Sequence, residues 1–182
     1  PHLNGLAYFE KPPLQYWATA VSLELLGPTE FAARLYGALT AFGSLALAWL
    51  GARRLWGAKT GHCAAAVLSG TLMFVVLGQL LTLDMSLTFF MTLSLVAFLV
   101  AQRHPQPRRW MLLAWAAAGL GVLTKGLVAA AIPAAVLVLY SAYARDFAPW
   151  RRLYLKWGVP LFLAITVPWH WLAARRAADF LE

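Results

Sequence analysis

The sequence predicts an all-α fold: a polytopic transmembrane helix bundle of about six spans, with one further helix lying at the membrane surface. Three observations point there. Of 182 residues, 62% are hydrophobic and 12% charged, against about 45–50% apolar and about 25% charged in a typical soluble domain. The mean hydropathy is +0.67. The basic residues fall in short clusters between long uncharged runs. With 13 glycines and one cysteine, the chain is neither collagen-like nor a disulfide scaffold, and it is too apolar for disorder. A net charge of +8 in a soluble protein would suggest nucleic acid. Here the clustering reads as membrane topology, and no nucleic-acid partner is expected. Membrane lipids are the expected surroundings, and nine Trp and six Tyr suit the membrane–water boundary.

Residues 1–30 read as a loop carrying a helix that lies in the interface. Segment 14–26 is too short to span, yet Leu14, Trp17, Ala18, Val21 and Leu25 recur at helical spacing, with Gln15, Thr19 and Ser22 elsewhere on the wheel. Pro12 and Pro13 suit its first turn.

Residues 31–174 form the bundle. A span needs about 20 apolar residues. Runs free of Asp, Glu, Lys and Arg place helices near 31–51, 62–81, 85–101, 110–123, 127–143 and 157–173. The fourth is the weakest, because its uncharged run covers only 110–124. Residues 175–182 begin a further segment on the outer side. Cys63 reads as a buried thiol in an apolar helix.

Charge sets the orientation. The connections 52–61, 102–109 and 144–156 hold Arg53, Arg54, Lys59, Arg103, Arg108, Arg109, Arg145, Arg151, Arg152 and Lys156, with Asp146 as the one acid. The other set, 1–30, 82–84, 124–126 and 174–182, holds Lys11, Lys125, Arg175 and Arg176 against Glu10, Glu24, Glu30, Asp84, Asp179 and Glu182. The positive-inside rule makes the first set cytoplasmic, and so puts Lys11, Asp84 and Lys125 on the outer face.

Four charged positions ask for an explanation. Lys11 stands beside the start of a helix whose free N–H groups favour an anion. It either holds a phosphate or snorkels and pairs with Glu10. Asp84, in the tight connection QLLTLDMSL, faces a protein cavity or is an interfacial turn residue, since a carboxylate facing lipid is costly. Lys125 in LTKGL is either a similar functional group or an outer-end snorkel, with Gly126 helping the turn. Arg34 reaches an external anion or, as the spacing favours, pairs with Glu30. His170, between two tryptophans, reads as structural.

At YFEKPPLQYW the chain resembles the membrane glycosyltransferases that use polyprenyl-phosphate sugars, a group that includes the protein mannosyltransferases and whose multi-span fold is called type C. PHLNGLAYFEKPPLQYW (1–17), LTLDMSLTFFMT (81–92), LTKGL (123–127) and VPW (167–169) carry the likeness in family order. The nearest branch transfers 4-amino-4-deoxy-L-arabinose to lipid A. The resemblance implies an undecaprenyl-phosphate sugar donor, a lipid A acceptor, and an active site facing the periplasm across the bacterial inner membrane. By it, Lys11 matches a phosphate-contacting lysine, with Lys125 and Arg34 as further candidates for phosphate. Asp84 matches the family's second outer-loop acid, which would orient the acceptor or the amino sugar and is the catalytic candidate within this chain. Glu10 matches a carboxylate that can bind a divalent metal, although this branch does not clearly require one. The resemblance also implies that the principal catalytic aspartate lies upstream of Pro1. The chain then reads as the N-terminal half of a longer type C enzyme, inactive on its own. Sister transferases with another sugar or acceptor carry similar text. A transporter subunit, the rival of another class, predicts midplane polar residues or broken helices in repeated halves.

Overall fold

The computed structural model describes residues 11–176, together with the backbone of 2–3 and 6–7. Nearly all of this is helix. The exception is a small antiparallel hairpin, β1 (His2–Leu3) and β2 (Leu6–Ala7), with His2 opposite Ala7. The expected surface helix is α1 (Leu14–Leu26). It is followed by α2 (Glu30–Trp56), α3 (Ala58–Gly70), α4 (Leu72–Gln79), α5 (Asp84–Arg103), α6 (Pro107–Lys125), α7 (Val128–Ala144), the single turn α8 (Ala148–Arg151) and α9 (Leu155–Arg176).

Helices α2, α5 and α9 are each long and apolar enough to cross a membrane, and the bent pair α3–α4 brings the number to as many as four. The two other expected spans are α6 and α7. The 17 residues of α7 are apolar but short for a full crossing. Helix α6, at 19 residues, is about 28 Å long. Arg108 and Arg109 in its first turn lower its hydropathy, and the helix is central, packed against α5, α7, α9 and the surface helix α1. Met111, Ala114, Ala117, Gly119, Gly121, Val122, Leu123 and Thr124 are all buried along it. A helix enclosed by other helices needs small residues for close approach more than it needs greasy ones for lipid. A Cβ built on Gly121 would lie 2.8 Å from Ala129 Cβ on α7 and 3.4 Å from Phe90 Cβ on α5.

Helices α5 and α6 form the most extensive interface of the molecule, an antiparallel hairpin closed by the short turn 104–106. Its core holds Ala97, Ala101, Met111 and Ala114, and Ser94 Oγ donates to Ala114 O across it at 3.0 Å.

Two expectations need correction. The second span is not one helix over 62–81, because the chain bends by 66° between α3 and α4. The sequence Ser69-Gly70-Thr71 explains the break. Thr71 leaves the helical region (φ −77°, ψ 111°) while its hydroxyl donates to Val67 O at 2.8 Å, and Ser69 Oγ donates to Ala66 O at 3.1 Å. These side chains satisfy carbonyls that a continuous helix would have bonded. Cys63, read as buried, is exposed on α3.

The bundle has two unlike ends. At one, the predicted basic set gathers. Arg103 Nη1 donates to Leu55 O at 2.8 Å, and Arg152 Nη1 donates to Gln102 O at 2.6 Å. Arg108 stacks over Trp157 at 4.7 Å, and Arg54 stacks over Trp110 at 5.0 Å. The antiparallel hairpin carries Asp84 and Lys125 to the opposite end.

Candidate functional site

Asp84 opens α5 and Lys125 closes α6, so each charge meets the helix terminus that favours it. The two helices differ by one residue in length and share one short turn, and this sets Asp84 opposite Lys125. Lys125 Nζ donates to Asp84 Oδ1, and the pair remains open to the surroundings, the two side chains 36% and 42% exposed. Gly126, at φ 89°, ends α6 directly after Lys125 and returns its N–H to Val122 O at 2.8 Å. A positive φ combined with an extended ψ is a conformation that only glycine adopts readily. The ammonium has three donors, of which the carboxylate takes one.

Behind this pair lies a buried polar contact that sequence reasoning missed. Ser86, one turn into α5 and fully buried, donates to Gln15 Oε1 of α1 at 2.5 Å. The Tyr36 hydroxyl on α2 also meets Ser86. Gln15 is 6% exposed, whereas Trp17, Val21 and Leu25 on the same helix are exposed. Helix α1 therefore turns the Gln15 amide toward the bundle and Trp17, Val21 and Leu25 outward. Gln15 Nε2 and Thr82 Oγ1 are buried with no hydrogen-bond partner among the described residues. The signal available was the Gln itself. A polar residue at the start of a membrane-surface helix needs a partner, and Ser86 was the nearest small hydroxyl beside Asp84.

Lys11 is exposed and directly precedes Pro12 and Pro13, both buried. Helix α1 has no side-chain cap, and its first backbone bond runs from Trp17 N–H to Pro13 O at 2.9 Å. The amides of Leu14, Gln15 and Tyr16 thus have no acceptor within the helix. Glu10, the candidate metal ligand, lies outside the described residues. Among the described residues, no group of three His, Cys, Asp or Glu side chains is placed to hold a metal.

Arg34 takes the pairing that its spacing favours. Its guanidinium lies 3.5 Å from Glu30, one turn earlier, and both side chains are exposed. The two border a shallow groove with Phe31, Leu35 and Ala38. Among the described residues, no hydrogen bond or ion pair joins Arg34 to Asp84 or Lys125. His170 Nδ1 sits 2.8 Å from Thr166 O within α9, in line with a structural role.

The helical bundle thus collects an acid, a lysine and a capless helix start at one end and arginines at the other, the arrangement of an integral-membrane protein with two chemically distinct ends. The chain belongs to the dolichyl-phosphate-mannose-protein mannosyltransferase family, whose pattern it matches over residues 10–171. It is similar to the undecaprenyl phosphate-alpha-4-amino-4-deoxy-L-arabinose arabinosyl transferase of Pseudomonas paraeruginosa, at 36% identity over 99% of this chain and 33% of the relative. The protein of the same name from Aeromonas salmonicida is 33% identical over 94% of this chain and 34% of its own length. Among solved structures, ArnT from Cupriavidus metallidurans in the apo state superposes with a TM-score of 0.94 at 40% identity, covering 99% of this chain and 34% of that one. The same protein bound to undecaprenyl phosphate gives 0.95. The chain spans about a third of the length of the curated relatives it matches.

Proposed function

We propose that this chain is part of an inner-membrane transferase that moves 4-amino-4-deoxy-L-arabinose from undecaprenyl phosphate to lipid A at the periplasmic face. The observation that carries the reading is the match, at 40% identity and a TM-score of 0.95 over 99% of the chain, to a structure bound to undecaprenyl phosphate. The clustering of Asp84, Lys125 and the start of α1 at the end opposite the arginines supports an outward-facing site.

In this reading the bond between the anomeric carbon and the donor phosphate oxygen breaks as an acceptor phosphate oxygen bonds to that carbon. The sugar gains oxocarbenium character, and undecaprenyl phosphate leaves with the electron pair. Negative charge on the leaving phosphate grows along the path, so a cation placed beside it lowers the barrier. Lys11, next to the unbonded amides of Leu14, Gln15 and Tyr16, fills that role. Asp84 accepts hydrogen bonds from the amino sugar or orients the acceptor. Lys125 keeps Asp84 in place and has donors left for the acceptor phosphate. Arg34, as the fourth candidate, would meet phosphate only by leaving Glu30. Glu10 beside Lys11 is the group through which a divalent metal would enter.

A transporter would use its broken helix to build a midplane site. Here the segment beyond the break at Thr71, LMFVVLGQ, carries no charged residue to build one. The test is mass spectrometry of lipid A from cells lacking their own transferase and complemented with the full gene. Aminoarabinose on lipid A phosphate supports the proposal. A different added sugar or a glycosylated protein would assign the chain to a sister transferase.

A further inference from the structure

The basic end of the bundle contains a second groove of about 360 Å³, far from Asp84, lined by His104, Gln106, Arg109, Trp110 and Leu113. It forms where the turn 104–106 leaves α5 and enters α6. Three nitrogen-bearing side chains converge on Trp110 or on the groove beside it. Arg54 of α2 lies over the indole at 5.0 Å, the His104 ring is centred 6.0 Å from it, and Arg109 lines the wall. His104 Nδ1 accepts the Gln106 amide at 3.0 Å, which leaves Nε2 to carry the proton and act as a donor.

No carboxylate among the described residues pairs with this group. Among the described residues the two ion pairs are Arg34–Glu30 and Lys125–Asp84, neither of them at this end. Asp146, the one acid in the basic connections, is occupied by the Ala148 amide at 2.9 Å and the Tyr140 hydroxyl at 3.3 Å. The groove is also amphipathic, with His104, Gln106 and Arg109 beside Trp110 and Leu113. Its charged residues sit in the turn and the first turn of α6, while Trp110 and Leu113 continue toward the apolar part of the helix. A free anion would use the first half alone. A phospholipid uses both, with its phosphate against the cations and its glycerol and acyl carbons along Trp110 and Leu113.

We propose that this groove is a binding site for the headgroup of an anionic phospholipid from the leaflet at the basic end, with Arg109 holding the phosphate, His104 Nε2 donating to it and Arg54, stacked on Trp110, adding its positive charge nearby. The site is independent of the transfer reaction, so it stands or falls separately from the proposed function.

The test is native mass spectrometry of the full-length protein released from mixed micelles of phosphatidylglycerol and phosphatidylethanolamine. The wild type should retain phosphatidylglycerol in preference, and an excess of inorganic phosphate should not displace it. Each arginine near the phosphate is worth a factor of about five in affinity. Arg54→Gln with Arg109→Gln should therefore cut the retained lipid by more than about tenfold. Arg109→Gln alone, which leaves Arg54 stacked on Trp110, should give an intermediate loss even if the double variant does not fold. Arg151→Gln, at the same end but outside the groove, should keep the wild-type preference. Equal retention of the two lipids, displacement by inorganic phosphate, an unaffected Arg109 variant, or an equal loss in the Arg151 variant would each overturn the proposal.

Discussion

Ser86 donates to Gln15 Oε1 at 2.5 Å, and this one buried bond fastens the surface helix α1 to the head of α5. It spans 71 positions of sequence, and it holds the segment that starts at Lys11 against the helix that starts at Asp84. Ser86→Ala removes the donor and leaves the whole Gln15 amide buried and unpaired, which costs about 1–3 kcal/mol. The variant should melt earlier in detergent and should be cut sooner by protease near residue 27, where α1 ends. The pair Gln15→Leu with Ser86→Ala should recover part of that loss, because no buried polar group is then orphaned. Additive losses in the double variant would show that the bond does not couple the helices.

The Asp84–Lys125 pair is half exposed, so its stabilising effect is small, about 0–1 kcal/mol. Asp84→Asn should accordingly express and melt like the wild type while lowering turnover of the full-length enzyme. Lipid A modified at the wild-type rate would reduce Asp84 to a helix-start residue.

Gly121 lets α6 approach α7 and α5 at once. Gly121→Val should force the helices apart at a cost of about 1–3 kcal/mol and shift the Lys125 end of α6. The check is thermal unfolding, with turnover measured on the fraction still folded. An unchanged melting point would mean that the approach is not close.

Orientation is tested by labelling. Cys63 is exposed and must first become serine. Single cysteines at Leu127 and Gln106, both exposed, should then react from opposite sides of the membrane. Gln106 should react only once the inner membrane is opened. Labelling of Gln106 from the periplasm would invert the topology and separate Asp84 from an external substrate.

Helix bounds were legible because uncharged runs and apolar membrane helices have nearly the same limits; α5 and α6 lie within a few residues of the expected 85–101 and 110–123. The bend at Thr71 was not, since hydropathy averages over a window and cannot register two hydroxyls turning back onto carbonyls. The central place of α6 was present in the sequence in disguise. Arg109 and Lys125 cut its uncharged run to 110–124 and made the span look weak, while the alanines and glycines inside that run mark an enclosed helix. Asp84 and Lys125 were singled out separately, although two helices of matching length around one short turn already place them together. For the Gln15–Ser86 bond the sequence signalled only that Gln15 needs a partner; which residue supplies it depends on how α1 lies across helices formed 71 positions later.

The account rests on Lys11 holding the donor phosphate at the start of α1. The direct measurement is the affinity of the full-length protein for undecaprenyl phosphate, wild type against Lys11→Ala, with insertion and folding verified for both. Loss of a charge-assisted contact should weaken binding by about 1.5–3 kcal/mol. Lys11→Arg should restore only part of it, since a planar fork does not replace a compact ammonium. Equal affinity in wild type and Lys11→Ala would contradict the account and move the phosphate to another part of the surface.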